Sequence, residues 1–165
     1  MYKIRDAIQS DCNGIGKVYY ASWKAGYQNM LPQTYLNSLS ATNCAPEKVS
    51  VNDIVLVRQE RVVGICHISE ARNRDSKVWG EIVSIYLLPE IWGSGAGSEL
   101  FQSALKILEQ RGFINVCLWV LKDNVRARKF YEKNEFKVSG NEREIEIAGC
   151  NIREVEYIHW SYVKI

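Results

Sequence analysis

The chain has 165 residues, of which 47% are hydrophobic and 24% charged, with a net charge of +2. That length holds one domain with a sizeable core, and a near-neutral chain without a Lys/Arg-rich run argues against a nucleic-acid partner. No apolar stretch reaches the length of a membrane span. The start, "MYKIRDAIQSD", lacks the apolar core of a signal peptide. Cys12, Cys44, Cys66, Cys117 and Cys150 form no CxxC pair, and with only His67 and His159 beside them no metal-site spacing occurs. Free thiols in a reducing cytoplasm are the expectation, with Cys66 and Cys117 as small core hydrophobes in apolar runs.

In chain order, "YKIRDAI" alternates as a short first strand, and Ser10 is placed to cap a helix whose apolar positions are Ile15, Val18, Tyr19, Ser22 and Trp23. Pro32 opens a second short helix, "PQTYLNSL", and "SATNCAPEKVS" reads as a loop. "DIVLVRQ" and "RVVGICHISEA" flank Gln59-Glu60 as a hairpin, although that pair is not a favoured turn type. After a turn at "RNRDSK", "VWGEIVSIYLL" is a long, mostly buried strand ending at Pro89. Gly97, Leu100, Phe101, Ala104, Leu105 and Leu108 mark one face of the next helix, stopped by Gly112. "INVCLWVL" is a buried strand. Asn124 caps "VRARKFYEKN", and "FKVSG", "REIEIAG" and "REVEYIHWSYVKI" end the chain as antiparallel strands. The order β-α-α-β-β-β-α-β-α-β-β predicts an α/β class protein, a mixed sheet with helices packed on it, over residues 1–165 as one domain.

The chemistry concentrates at "PEIWGSGAGSELF", where Gly93, Gly95 and Gly97 lie between a strand and a helix. A glycine turn at a helix N-terminus is a ready anion cradle. No Lys-Ser or Lys-Thr follows, which excludes a P-loop, and Ser98 stands where a dinucleotide-binding GxGxxG needs its third glycine. "IYLLPEIWGSGAGSELFQSAL" resembles the cofactor motif of the GNAT acyltransferase superfamily, a strand ending hxVxP followed by (Q/R)-x-x-G-x-(G/A) and a helix. "NVRARKFYEKNEF" is similar to that superfamily's N-x-x-A-x-x-x-Y-x-x-x-G-F, and "SWKAGYQNMLPQTYL" resembles its first-helix region. The two motifs cover roughly residues 82–138.

The resemblance implies the GNAT fold, acetyl-CoA as cosubstrate and an amine as acceptor. By it, Ile85, Tyr86 and Leu87 lie along the pantetheine arm and pair with its amides as an added strand would. Gly93, Ser94, Gly95, Ala96, Gly97 and Ser98 offer backbone N–H groups to the pyrophosphate, and Asn124 bonds the arm. Tyr131 sits at the thioester sulfur as the acid that protonates the leaving thiolate, the Leu87 N–H stabilises the oxyanion, and Glu81 is the base candidate that acts through water. Trp23, Tyr27 and Tyr35 line the acceptor site. The chain departs from the motif at Trp92 and Ser94, where Gln/Arg and a basic residue are usual, and at Glu135, where glycine is usual. Lys122, Arg126, Arg128 or Lys129 can restore the missing charge, and Asn134 can take the left-handed position. Trp119 stands where some protein N-terminal acetyltransferases carry Glu, which argues against that subclass. Beside the enzyme stands a second reading, a CoA-binding sensor or scaffold without catalysis. The acceptor amine stays open, and a homodimer through the terminal strands is possible.

Overall fold

The computed structural model describes residues 1–74 and 78–160. Strand β1 is Lys3–Asp6. Ser10 is not the cap of the first helix. A short 3₁₀ turn over Gln9–Asp11 comes first, and the Asp11 carboxylate accepts the Ile8 N–H at 2.8 Å while pairing with Arg5 at 2.6 Å. A carboxylate with an arginine partner is the stronger acceptor of the two neighbours, and α1 runs from there over Cys12–Gly26. Helix α2 (Gln33–Ser38) starts directly after Pro32.

Strands β2 (Asp53–Arg58) and β3 (Arg61–Glu70) form the expected hairpin. Gln59 and Glu60 both take positive φ, 49° and 59°, the backbone that a two-residue hairpin turn requires. Strand β4 (Trp79–Leu87), α3 (Ala96–Gln110), β5 (Asn115–Leu121) and α4 (Val125–Lys133) follow as the apolar patterns indicate. Of the turn expected at "RNRDSK", residues 75–77 lie outside the described residues. Asn134 does not take the left-handed position after α4. Its φ is −94°, with the side-chain amide donating to Phe130 O, and Glu135 takes φ +67° instead. The segments "FKVSG" and "REIEIAG" are one strand, β6 (Lys137–Ile147), which absorbs an irregularity between Val138 and Glu142 at Gly140 (φ +93°). Strand β7 is Cys150–Trp160, and the expected continuation over 161–165 is not among the described residues.

The seven strands make one mixed sheet in the order β1-β2-β3-β4-β5-β7-β6. Neighbours are antiparallel apart from β4 and β5, which run parallel because α3 carries the chain back across the sheet. On the α3 face, Leu100, Phe101, Ala104 and Leu108 bury against Leu56, Cys66, Ile68, Ile82, Val116, Leu118 and Tyr157. On the other face, Ile15 and Val18 of α1 pack on Val55, Val57 and Ile65. Cys66 and Cys117 are buried free thiols, as expected. No described helix is long and apolar enough to cross a membrane.

Candidate active site

The parallel pair is short. It holds only at Trp79↔Asn115, Gly80↔Val116 and Glu81↔Cys117. Beyond Glu81, β4 stays with β3 up to Leu87 and β5 stays with β7 up to Leu121, so the sheet opens between them. Val83 is an extra residue in β4, since His67 faces Ser84 and Ile68 faces Ile82. The bulge shifts the alternation of the strand. Gly80 and Ile82 face the α3 core, and so do Ile85 and Leu87, while Tyr86 packs on the α1 side. The Leu88 N–H donates to Val63 O at 2.9 Å. By the two-residue repeat, Tyr86 turns its main chain to β3, whereas Ile85 and Leu87 turn theirs to the opened side. Of the three residues expected to pair with a ligand through their backbone, Tyr86 therefore contributes only its side chain.

A cavity of about 570 Å³ fills this opening. One end is the glycine loop, which leaves β4 through a 3₁₀ turn at Pro89–Ile91. Gly93 and Gly95 have φ of +77° and +89°, and a Cβ on either would meet nothing within 4 Å. Gly95 is the N-cap of α3, so the first-turn amides of that helix open onto the loop. The amides of Gly93, Gly95, Gly97 and Ser98 have no acceptor among the described residues, but those of Ser94 and Ala96 differ from expectation. Ser94 N–H turns inward to Ile91 O at 3.3 Å, and Ala96 is fully buried with its N–H 3.4 Å from Ser94 Oγ.

Trp92, the departure from the motif, has a defined place. Its Nε1–H donates to Leu87 O at 2.9 Å, and its ring carries the Arg126 guanidinium 3.5 Å from the centroid. Arg126 lines the cavity and has no carboxylate partner among the described residues. Burial pulls its pKa below the usual arginine value, against the pull of the Tyr27 and Tyr131 phenols. Of the four cations considered for restoring charge, Lys122 instead pairs with Glu142 at 2.8 Å, and Arg128 donates to Tyr157 Oη and Lys122 O.

Tyr131 is 9% exposed and lines the cavity between Phe101 and Tyr157. Burial, with Tyr86 and Cys66 nearby, raises its phenol well above the ordinary value, so it holds its proton at neutral pH. Asn124 is buried and faces the cavity, with its Oδ1 accepting Ala127 N–H as the cap of α4. The other end of the cavity gathers Trp23, Tyr27, Trp119, Ile145, Ile147 and Glu154. Tyr27 Oη and Tyr86 Oη are 3.3 Å apart, and burial pushes the Tyr27 phenol up to about 12. Tyr35 is not among the lining residues. It packs on Trp23 from behind, ring centroids 6.4 Å apart.

Glu81 is 2% exposed and does not line the cavity. Its carboxylate accepts Arg72 Nη2 at 2.5 Å, with Arg72 Nε and the Arg72 backbone N–H at 3.2 Å. Glu81 thus stands off the cavity with Arg72 as its partner. His67 pairs with Asp53, and His159 stacks on Phe136, both away from the lining. Glu154, Lys133 and Ser84 are polar lining residues that sequence reasoning left without a role, and Arg126 is the one of its four candidate cations that lines the cavity.

The family model described as "Acetyltransferase (GNAT) family" matches residues 19–136. The chain belongs to that family. The GNAT chain is 30% identical over 159 residues to the uncharacterized N-acetyltransferase YuaI of Bacillus subtilis (strain 168), covering 94% of this chain and 91% of that one. It is 26% identical over 148 residues to a spermidine N(1)-acetyltransferase of Thermoplasma acidophilum, with 82% and 88% covered. Its fold matches the crystal structure of the PaiA N-acetyltransferase from Thermoplasma acidophilum in complex with coenzyme A, at a TM-score of 0.73 and 21% identity, over 94% of this chain and 98% of that one. The GNAT protein is thus an N-acetyltransferase, and the reading as a sensor without catalysis is not favoured.

Proposed function

We propose that this acetyltransferase domain, spanning residues 1–165, moves an acetyl group from acetyl-CoA directly to a primary amine held in the same cavity. The observation that carries the reading is the opened edge of β4. There the main chain of Ile85 and the Leu87 N–H face the cavity beside loop amides that have no acceptor among the described residues. An extended amide-bearing arm completes such an edge as a further strand does, and the amides of Gly93, Gly95, Gly97 and Ser98 suit a pyrophosphate at the end of it. Arg126, held on the Trp92 ring, supplies the positive charge that Ser94 does not.

The residues then divide the reaction. The amine must lose a proton before it attacks, because an alkylammonium has a pKa near about 10. Attack on the thioester carbonyl places negative charge on its oxygen, for which the Leu87 N–H is the donor. The C–S bond breaks, and Tyr131 gives its proton to the leaving sulfur. Asn124 steadies the arm, while Trp23, Tyr27 and Tyr86 line the acceptor end. The family relation and the reducing-compartment chemistry of five free cysteines support a cytoplasmic enzyme.

Thermal denaturation with acetyl-CoA, NAD or ATP tests the reading, because a ligand of the folded state raises its stability by mass action. A rise with acetyl-CoA, followed by release of free thiol in the presence of an amine, is expected. A rise with NAD and none with acetyl-CoA would overturn it.

A further inference from the structure

The cavity is electrically polarised. Arg126 and Lys133 belong to its lining, and among the described lining residues Glu154 is the one carboxylate. Glu154 stands on β7 opposite Leu121 and Arg143, and its field reaches Tyr27. Its side chain is 12% exposed, and Oε2 accepts Arg143 Nε at 2.6 Å. The same guanidinium lies 4.3 Å from the ring centroid of Trp119. Arg143 is not itself a lining residue. It therefore takes up the two contacts that an ammonium ion seeks, a half-buried carboxylate and an aromatic face.

The same sheet face carries two more carboxylates, and both are closed. Glu81 is held by Arg72. Glu156 is 3% exposed and receives Arg74, Ser139 Oγ and Asn141 Nδ2. Neither lines the cavity. Within this cavity a second positive charge on the acceptor would lie among Ile145, Ile147 and Leu121, or near Arg126, and no second carboxylate of the described lining would meet it.

We propose that Glu154 and Trp119 form the seat of the acceptor's ammonium group, kept by Arg143 in the free protein. The preferred acceptor is a primary amine bearing a single charge on an apolar or aromatic body. This rests on the acetyl-transfer reading above. Glu154 takes one proton from R–NH3⁺, through cavity water. The C–N bond forms and the C–S bond breaks, and the amide nitrogen loses its second proton as Tyr131 protonates the thiolate. That second proton restores Tyr131, so one proton reaches solvent through Glu154 for each acetyl group moved.

The experiment compares 2-phenylethylamine with spermidine as acceptors for the full chain, following thiol release, with CoA affinity measured separately by calorimetry. The parent protein is expected to show a kcat/KM at least about tenfold higher for 2-phenylethylamine. Glu154→Gln is expected to lower that value about 10- to 100-fold, the range for a lost charge-assisted contact, with CoA affinity and melting temperature near those of the parent. Preference for spermidine, or a Glu154→Gln enzyme within twofold of the parent, overturns the proposal. If neither amine is acetylated, titrating 2-phenylethylamine into the CoA-bound protein decides: binding that Glu154→Gln weakens supports the seat, and no binding overturns it. Should Glu154→Gln fail to fold, Arg143→Gln keeps the carboxylate and removes its competitor. A KM for 2-phenylethylamine lowered about threefold is then expected, and an unchanged or raised KM overturns it. Failure of CoA itself to bind identifies a failure of the acetyl-transfer reading instead.

Discussion

The two ends of the cavity are built by different means. At the glycine loop the main chain faces the cavity, and Gly93 and Gly95 stand in open space with left-handed backbone. At the β5–β7 end the lining is made of side chains, Trp119, Glu154 and Ile145, brought together from three strands by pairing register. A main-chain site tolerates few substitutions because the conformation itself is the recognition element. A side-chain site can be rebuilt residue by residue without disturbing the sheet. On the proposed function, the cosubstrate end is therefore the fixed part of the molecule, and the acceptor end is the part through which specificity changes.

The largest effect is expected where the two ends meet. Tyr131→Phe keeps the ring packing against Phe101 and Tyr157 and removes the proton. Single-turnover rates should fall by about 10²–10⁴-fold with little change in melting temperature or CoA affinity. An unchanged single-turnover rate would take Tyr131 out of the chemistry and leave both ends as binding surfaces.

Trp92→Leu tests the fixed end next. It removes the hydrogen bond to Leu87 O and the platform beneath Arg126 together. Each contact is worth about 1 kcal/mol, so calorimetry should show CoA binding weakened by about tenfold or more, with amine KM little affected. A KM effect without an affinity effect would reverse the roles of the two ends.

Smaller, and sharper, is a pair of glycine substitutions. Gly95 and Gly112 have nearly equal φ, +89° and +92°, and both have open space around the Cβ position. Alanine at either should lower stability by about 1 kcal/mol through backbone strain alone, a few degrees of melting temperature. Only Gly95→Ala should also weaken CoA, because Gly112 lies beyond the far end of α3 and outside the cavity. Equal CoA affinities for the two variants would reduce the loop to a connector.

The gentlest probe is pH. Burial holds Tyr27 up to about 12 and raises Tyr86 and Tyr131 above the ordinary tyrosine value of 10.0. Between pH 10 and 12 the unfolded chain gives up protons that the folded chain keeps, so stability falls as pH rises through that window and is intact below it. Melting curves across that range, with ultraviolet titration of tyrosinate, should show these phenols ionising only as the fold is lost. Ordinary titration of all nine tyrosines in the folded protein would show the acceptor end to be wetter than its packing indicates.

What the sequence disclosed follows the same division. The glycine loop, the Asn124 cap and the Gly112 stop are local, each written within a few consecutive residues, and the chain order of elements followed from apolar periodicity. The partner of Glu81 was not legible, because it depends on Arg72 returning over the sheet after β3. Nor was the Val83 bulge, which leaves no compositional mark yet decides that Ile85 rather than Ser84 faces the core. Trp92 looked like a loss when set against the motif. Its indole turns out to hold the end of β4 and the one unpaired arginine of the lining, a compensation visible only once α4 is beside the loop. Glu154 was hidden for the same reason: its meaning comes from Trp119 and Arg143 across two strand pairings.

The opened seam also bears on how the chain avoids its own kind. The outer edges of the sheet are β1 and β6, and both carry charge, with Lys3, Arg5 and Asp6 on one and Lys137, Glu142, Glu144 and Glu146 on the other. Charged edges of that sort discourage a foreign strand from adding on. The inner edge of β4, from Ile82 to Leu87, is largely apolar and pairs with no neighbouring strand, the composition that elsewhere invites aggregation. It lies inside the cavity, whose lining it shares with Trp119 and Val120 of β5 and with Ala127, Phe130 and Tyr131 of α4. Set within a cavity rather than at the rim of the sheet, that edge carries none of the charges that β1 and β6 present.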